Sequence, residues 1–272
     1  MKKTLIWIAA VIITLATVTF QRMTGPTYPV KASLNIGGQT VEAHLPSSHG
    51  GADDCPVRIE VPDPDIGGII VYRHFKSPEP YDTLVMIRQG SELLAHLPHQ
   101  PPAGKLEYRV MLLKNGPPQP LNKVPVVIRF KGSVPVTVLI PHILFVFTAQ
   151  LLSLIAGLYA IFRLDKYKLY GVLTVILLFV GGFILGPVIQ KFAFGDYWTG
   201  FPFGEDLTDN KVLVAMIFWI FAVAMNIRRD RPMLALLAAV VFFLVNMIPH
   251  SMFGSEFNYE TGEVVTGLIQ MI

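Results

Sequence analysis

The sequence predicts a membrane protein of mixed α plus β type, and three observations carry that reading. Of the 272 residues, 52% are hydrophobic and only 15% charged, with a mean hydropathy of +0.51. A soluble domain carries about 25% charged residues. The deficit is local, because residues 25–135 hold 11 Lys/Arg and 10 Asp/Glu while the apolar excess lies in 4–20 and 136–250. Between residues 28 and 131, short β-type runs alternate with turn residues.

The first element follows Lys2-Lys3 and spans Leu5–Phe20. A basic start and an apolar run also mark a secretory leader, but Gln21-Arg22-Met23 lacks an A-x-A-like cleavage site. Residues 1–23 therefore read as an uncleaved signal-anchor helix. Four further apolar blocks follow within 136–250: 136–162, 169–189, 207–227 and 233–250. A span needs about 20 residues. The last block has 16 uninterrupted apolar-rich residues, Met233–Ile248, and needs its flank. Four such blocks in succession, separated by short charged loops, argue against the buried helices of a soluble core.

Orientation follows from the basic loops. Lys2 and Lys3 precede the first span, Arg163, Lys166 and Lys168 follow the second, and Arg228, Arg229 and Arg231 follow the fourth. The positive-inside rule puts all three groups in the cytoplasm of a chain that starts inside and crosses five times. Residues 24–135, the loop 190–206 and the tail 251–272 then lie outside. The short Lys-Lys start and compact loops suit a bacterial inner membrane.

In the external domain, strands are expected at Val30–Ile36, Thr40–Leu45, Val57–Val61, Ile69–His74, Thr83–Arg88, Glu92–Leu97, Leu106–Leu113 and Val124–Phe130. About seven short strands with regular turns in roughly 100 residues is the pattern of an immunoglobulin-like sandwich. The phrases Ile70-Val71-Tyr72-Arg73, Leu84-Val85-Met86, Ala95-His96-Leu97-Pro98 and Pro102–Tyr108 add to this. With them, residues 56–130 resemble a secreted fibronectin-III or immunoglobulin-like module. The resemblance implies an adhesive or spacer module and no catalytic residues. The Cys pair and core Trp of antibody-type domains are missing, and the lone Cys55 reads as buried and inert. His44, His49, Asp53, Asp54, His74, His96 and His99 follow no metal-ligand spacing and read as surface or turn residues.

The bundle offers one chemical lead. After residue 135 there are only two histidines, in the phrases Ile140-Pro141-His142 and Ile248-Pro249-His250. On the expected topology both lie at the outer interface. At about 100° per residue, His142 shares a helix face with Ala149 and Ser153, and should point inward. Asn246 shares a face with His250. Gln150 is expected to bond a neighbouring helix, because an unsatisfied amide in lipid is costly. Gly182-x-x-x-Gly186 marks a close-packed face, and Gly186-Pro187 a kink. His142 and His250 can ligate a haem b as a bis-histidine pair. They can alternatively hold a divalent metal with Asp206, Asp209 or Glu256, or bind nothing and hydrogen-bond loop backbone at the interface. Asp206 or Thr208 also suits the cap of the helix at 207, with Asp209 in its first turn.

No Ser/His/Asp signature, phosphate loop or nucleotide fingerprint is present. The reading is a non-enzymatic membrane protein that works with an envelope or membrane protein partner, not a nucleic acid. Its role would be that of an accessory or scaffold subunit of a cell-envelope complex, acting through the external domain. The first alternative is a haem- or metal-handling protein centred on His142 and His250. The second is a transporter component, disfavoured because no charge lies deep in the spans.

Overall fold

The computed structural model describes residues 1–249, 252 and 254–265, and its chain divides into two compact units. The helical unit holds residues 1–26 and 134–255; the β unit holds 27–133 together with 256–265.

The helical unit contains α1 (Lys2–Thr24), α2 (Val136–Ile161), α3 (Tyr167–Leu178), α4 (Gly186–Phe194), α5 (Leu207–Arg228) and α6 (Pro232–Met247). A π-helical segment, Phe179–Leu185, joins α3 to α4, so the stretch Tyr167–Phe194 is continuous. That stretch, α1, α2 and α5 are long and apolar enough to cross a membrane, and α6, at 16 residues, is shorter. At 1.5 Å per residue α6 covers about 24 Å, against a hydrocarbon core of about 30 Å.

Two boundaries differ from the sequence expectation for physical reasons. The third apolar block continues through Gln190 and Lys191 to Phe194, and stops at Gly195, whose φ of 95° gives a left-handed helix end. The loop expected at 190–206 therefore begins at Gly195. The last block leaves the helix at Ile248, which is extended at φ −70° and ψ 123°. Pro249 follows, and a residue before proline is pushed out of the helical region. His250 lies outside the described residues.

Small residues let the helices close on one another. A Cβ added to Gly157 would stand 2.6 Å from Cβ of Ala239, and one on Gly182 would stand 2.6 Å from Cγ1 of Val212. The Ala149, Ser153, Gly157 face of α2 is accordingly buried. Trp219, 1% exposed, donates its indole N–H to Ser153 Oγ at 3.1 Å. Pro187 has no N–H to return to the carbonyl four residues back. The chain meets this with the π-helical register, in which the Gly186 N–H bonds Gly181 O.

The β unit is built from β1 (Val30–Ile36), β2 (Gln39–Leu45), β3 (Ser48–Gly50), β4 (Cys55–Glu60), β5 (Gly67–His74), β6 (Asp82–Val85), β7 (Ile87–Gln89), β8 (Glu92–Leu97), β9 (Lys105–Leu113), β10 (Gln119–Pro120), β11 (Val126–Lys131), β12 (Glu256–Asn258) and β13 (Glu263–Val265). One sheet has the order β3-β11-β9-β5-β6, with β10 also on β9; a second has the order β4-β8-β7. All pairs are antiparallel except β3 with β11. A hairpin of β1 and β2 turns at Gly37-Gly38, both at positive φ, which suits a two-residue turn between twisted strands.

Alternation places the core. In β4, Cys55, Val57 and Ile59 are buried while Pro56, Arg58 and Glu60 face out. They join Leu93 and Leu97 in one cluster with Ile70, Tyr108, Ile128 and Phe130 of the larger sheet. The buried Tyr108 hydroxyl donates to Pro46 O at 2.8 Å. Asn122 accepts the Val110 N–H and donates to Tyr108 O and Val124 O, standing in for a strand where the ladder breaks off.

The stretch expected as one strand at Thr83–Arg88 is two. Met86 turns inward between β6 and β7, 5% exposed, and its N–H bonds Gly68 O at 2.9 Å. One continuous segment thus edges the larger sheet through β6 and the smaller through β7.

The segment expected as a tail contributes the β12–β13 hairpin to the β unit. Phe257 N–H bonds Ala103 O at 3.1 Å, and the Tyr259 ring stacks on His74 with centroids 3.9 Å apart. The Tyr259 hydroxyl donates to Gln100 Oε1 at 2.9 Å and accepts the Lys105 N–H at 3.1 Å. Burial pushes that hydroxyl up to about 12. Glu256 pairs with Lys105 Nζ at 2.6 Å, both side chains being 15% exposed.

Cys55 is 2% exposed, and burial pushes its thiol up to about 11. The thiolate is the reactive form, so the folded chain should resist maleimide at about pH 8 and react fully in denaturant. Rapid labelling of the folded chain would show that β4 opens.

Candidate functional site

One cluster of polar side chains in the helical unit lies at the end where α5 begins and α6 stops. They are positioned by helix ends, each of which leaves backbone groups without intrahelical partners.

Asp206 caps α5: its Oδ1 accepts from Thr208 N–H at 2.7 Å and from Asp209 N–H at 3.3 Å. Asp209, 8% exposed, turns back to the preceding loop, where its Oδ2 accepts from Thr199 N–H at 2.7 Å and Gly200 N–H at 3.1 Å. The Gln190 amide, oriented to satisfy both its ends, donates to both Asp209 oxygens at 3.0 Å and accepts from the Thr199 hydroxyl. Asn210 Oδ1 accepts the Phe201 N–H at 2.7 Å. A Cβ on Gly200 would stand 2.6 Å from Cβ of Asp209, so this close approach requires glycine. The Trp198 ring stacks on Phe183 at 5.4 Å. The density of acids, glycine and aromatics in 196–210 is that of a loop folded back on a helix start.

Lys211 is the residue that sequence reasoning missed, since no local motif in the sequence marks it as buried. It is only 5% exposed, and its Nζ donates to Ile248 O at 3.1 Å. Gln21 of α1 donates to Asn246 O at 3.1 Å and to Ile248 O at 3.5 Å. The last turn of α6 carries no basic residue of its own. A cation and an amide from two other helices satisfy its carbonyls instead, at the negative end of the helix dipole. The available signal was position: Lys211 falls one turn inside an apolar helix.

His142 is half-buried, with Nδ1 2.8 Å from Gly181 O. A carbonyl only accepts, so Nδ1 carries a proton, and in the neutral ring Nε2 keeps its lone pair. This is the π-helical carbonyl that also receives the Gly186 N–H. His142 does point into the bundle, toward the next span.

Two amides stand apart. Gln150 is 2% exposed and Asn246 8%, and neither Gln150 Nε2 nor Asn246 Nδ2 has a hydrogen-bond partner. Gln150 lies seven residues before Gly157, and Asn246 seven after Ala239, on antiparallel helices that touch at Gly157 and Ala239. Two turns on from that contact, both amides fall at the same level of the α2–α6 seam. The hydrogen bond expected of Gln150 is not made through its Nε2.

Of the residues singled out as ligands, Asp206 and Asp209 hold backbone amides, His142 holds Gly181 O, and Glu256 pairs with Lys105 in the β unit. His250 lies outside the described residues. Among the described residues, no three of His, Cys, Asp and Glu come together. No family model, curated protein or solved structure matches the chain.

The two kinds of buried polar group should respond oppositely to truncation. Asp209→Ala strands two loop N–H groups and should cost about 2 kcal/mol or more, read as a lower melting temperature and faster proteolysis within 196–206. Gln150→Leu removes an amide without a partner and should leave stability unchanged or higher. A clear loss of stability in Gln150→Leu would show that the amide is bonded in the working protein.

Proposed function

We propose that this chain is a multi-pass membrane protein whose helical unit anchors an immunoglobulin-like domain, and that it serves as an accessory or scaffold subunit of a cell-envelope complex. Supporting the domain reading is the strand order. A six-stranded sheet, whose first and last strands in chain order, β3 and β11, pair in parallel, accompanies a three-stranded sheet, and the two share one core. The basic loops support an inner-membrane topology with the N-terminus inside and the β-domain outside.

One observation carries the scaffold role. The segment from β6 to β7 edges both sheets, leaving backbone groups unpaired on its outer side, and it exposes Val85 at 72% and Ile87 at 67%. An open edge with apolar side chains is a template for strand addition by another chain. The partner in this reading is an envelope protein that offers an extended, apolar segment.

A second reading rests on His142. Its Nδ1–H on a backbone carbonyl orients the ring, and in the neutral form Nε2 is then the free ligand atom, the arrangement that prepares an imidazole for a metal or haem iron. With His250 as the second axial ligand, the protein would bind haem b; a divalent metal is the other occupant of that pair. Protein purified from membranes should then show a Soret band or bound metal, lost in His142→Ala and in His250→Ala. A colourless, metal-free preparation removes this reading.

For the scaffold reading, Val85→Lys with Ile87→Lys should break the complex without unfolding the β unit. Losing two buried apolar contacts costs at least about 100-fold in affinity. On native gels of mild-detergent extracts, the chain should move from complex to single-chain mass, with its circular dichroism unchanged. A complex of unaltered mass would exclude this edge as the interface.

A further inference from the structure

The opposite end of the helical unit offers a different chemistry. The connections α2–α3 and α5–α6 meet there: the Tyr167 hydroxyl donates to Asn226 Oδ1 at 2.9 Å, and Lys168 Nζ lies 2.5 Å from Asp230 Oδ1. Asn226 also fixes the second turn, accepting the Arg231 N–H at 2.7 Å and donating to Arg231 O at 3.1 Å. These two turns carry six Lys/Arg against two Asp, Asp165 and Asp230. The ion pair of Lys168 uses Asp230. Arg163, Lys166, Arg228, Arg229 and Arg231 remain exposed to solvent.

Immediately beneath this cationic rim lies a groove of about 190 Å³ between α3, α5 and α6. Its walls are almost wholly apolar, with Val172, Trp219, Val223 and Ile227 among the lining and Tyr167 and Lys168 at the rim. The groove exists because Gly171 lets α3 approach Trp219: a Cβ there would stand 2.9 Å from the indole ring. It opens sideways, since Val172 is 39% and Ile227 74% exposed.

We propose that this groove and its rim bind an anionic phospholipid of the bilayer. The phosphate meets the arginines of the α5–α6 turn, and one acyl chain lies along Val172, Val223 and Ile227. The shape and charge select an amphiphile with an acidic head directly joined to a hydrocarbon tail. A soluble anion gains nothing from the groove, and a neutral lipid gains nothing from the rim. Clustered basic residues at the cytoplasmic ends of spans favour anionic headgroups in this way. The inference needs the helical unit to stand in a bilayer, and it is independent of what the β unit docks.

The test is lipid retention by the full chain, released from nanodiscs containing equal phosphatidylglycerol and phosphatidylcholine of matched acyl chains, measured by native mass spectrometry. Phosphatidylglycerol should be retained at least about tenfold over phosphatidylcholine. Replacing Arg228, Arg229 and Arg231 together by Gln should abolish the preference, while replacing the same three by Lys should keep it. Val172→Trp, which fills the groove at an exposed position, should reduce retention with an unchanged gel-filtration profile. Equal retention of the two lipids overturns the proposal. So does retention unaffected by Val172→Trp, which would mean that charge acts without the groove.

Discussion

Unsatisfied backbone groups at helix ends are the constraint around which the helical unit is arranged. In apolar surroundings a bare N–H or C=O costs several kcal/mol, and α6 stops short with its carbonyls turned to the bundle. Lys211 and Gln21 answer them. Asp206 answers the amides that open α5, and Asp209 those of the loop before it. His142 takes the carbonyl of the π-helical segment that Pro187 makes necessary. Apart from Asp206, which caps its own helix, each of these side chains comes from a different segment than the group it satisfies. The caps therefore also tie α1 and α5 to the end of α6, and α2 to the π-helical segment, at a place where apolar packing alone has no preference between protein and lipid.

The β unit solves the same problem with other means. Asn122 replaces a missing strand, and Arg88 donates to Val61 O, Asp63 O and Ile66 O to hold the loop between β4 and β5. The β12–β13 hairpin is fastened through Tyr259, His74 and the Lys105–Glu256 pair, so a segment that follows the last helix completes a domain begun before the second. Burial lowers the affinity of Lys105 for its proton, and Glu256 partly restores it. An ion pair of this kind is weak evidence for stability, but removing one partner leaves a costly buried charge. The segment of β6 and β7 edges both sheets and exposes Val85 and Ile87, and for that reason it is the surface on which a partner reading rests.

How much of this was legible in the sequence follows from the range of each interaction. The apolar blocks, the strand alternation of β4 and the cap at Asp206 are local patterns, and they read directly. The apolar run ends at Ile248 before Pro249 in the sequence itself, and only the length a span needs extends the expected block to residue 250. Lys211 and Asp209 were legible as charges and illegible as buried ones, since their acceptor and donors lie 37 and 10 residues away. The split at Met86 reads as one strand because both halves have β character; only the Gly68 carbonyl that Met86 meets reveals the switch. The β12–β13 hairpin has short strands of intermediate burial, a pattern too weak to distinguish from a polar tail.

The two ends of the helical unit then differ in kind. At one, polar side chains are turned inward and engaged with backbone, so that acids and a lysine contribute little net chemistry to the surroundings. At the other, a compact set of hydrogen bonds around Asn226 holds the turns still, and the arginines it positions face outward without acidic partners of equal number. The side chains at the α5 start are engaged by the fold, while the arginines at the α5–α6 turn stay exposed. A reading of function from charge alone would have chosen the acidic loop; the hydrogen-bond geometry moves attention to the basic rim and to the exposed β edge.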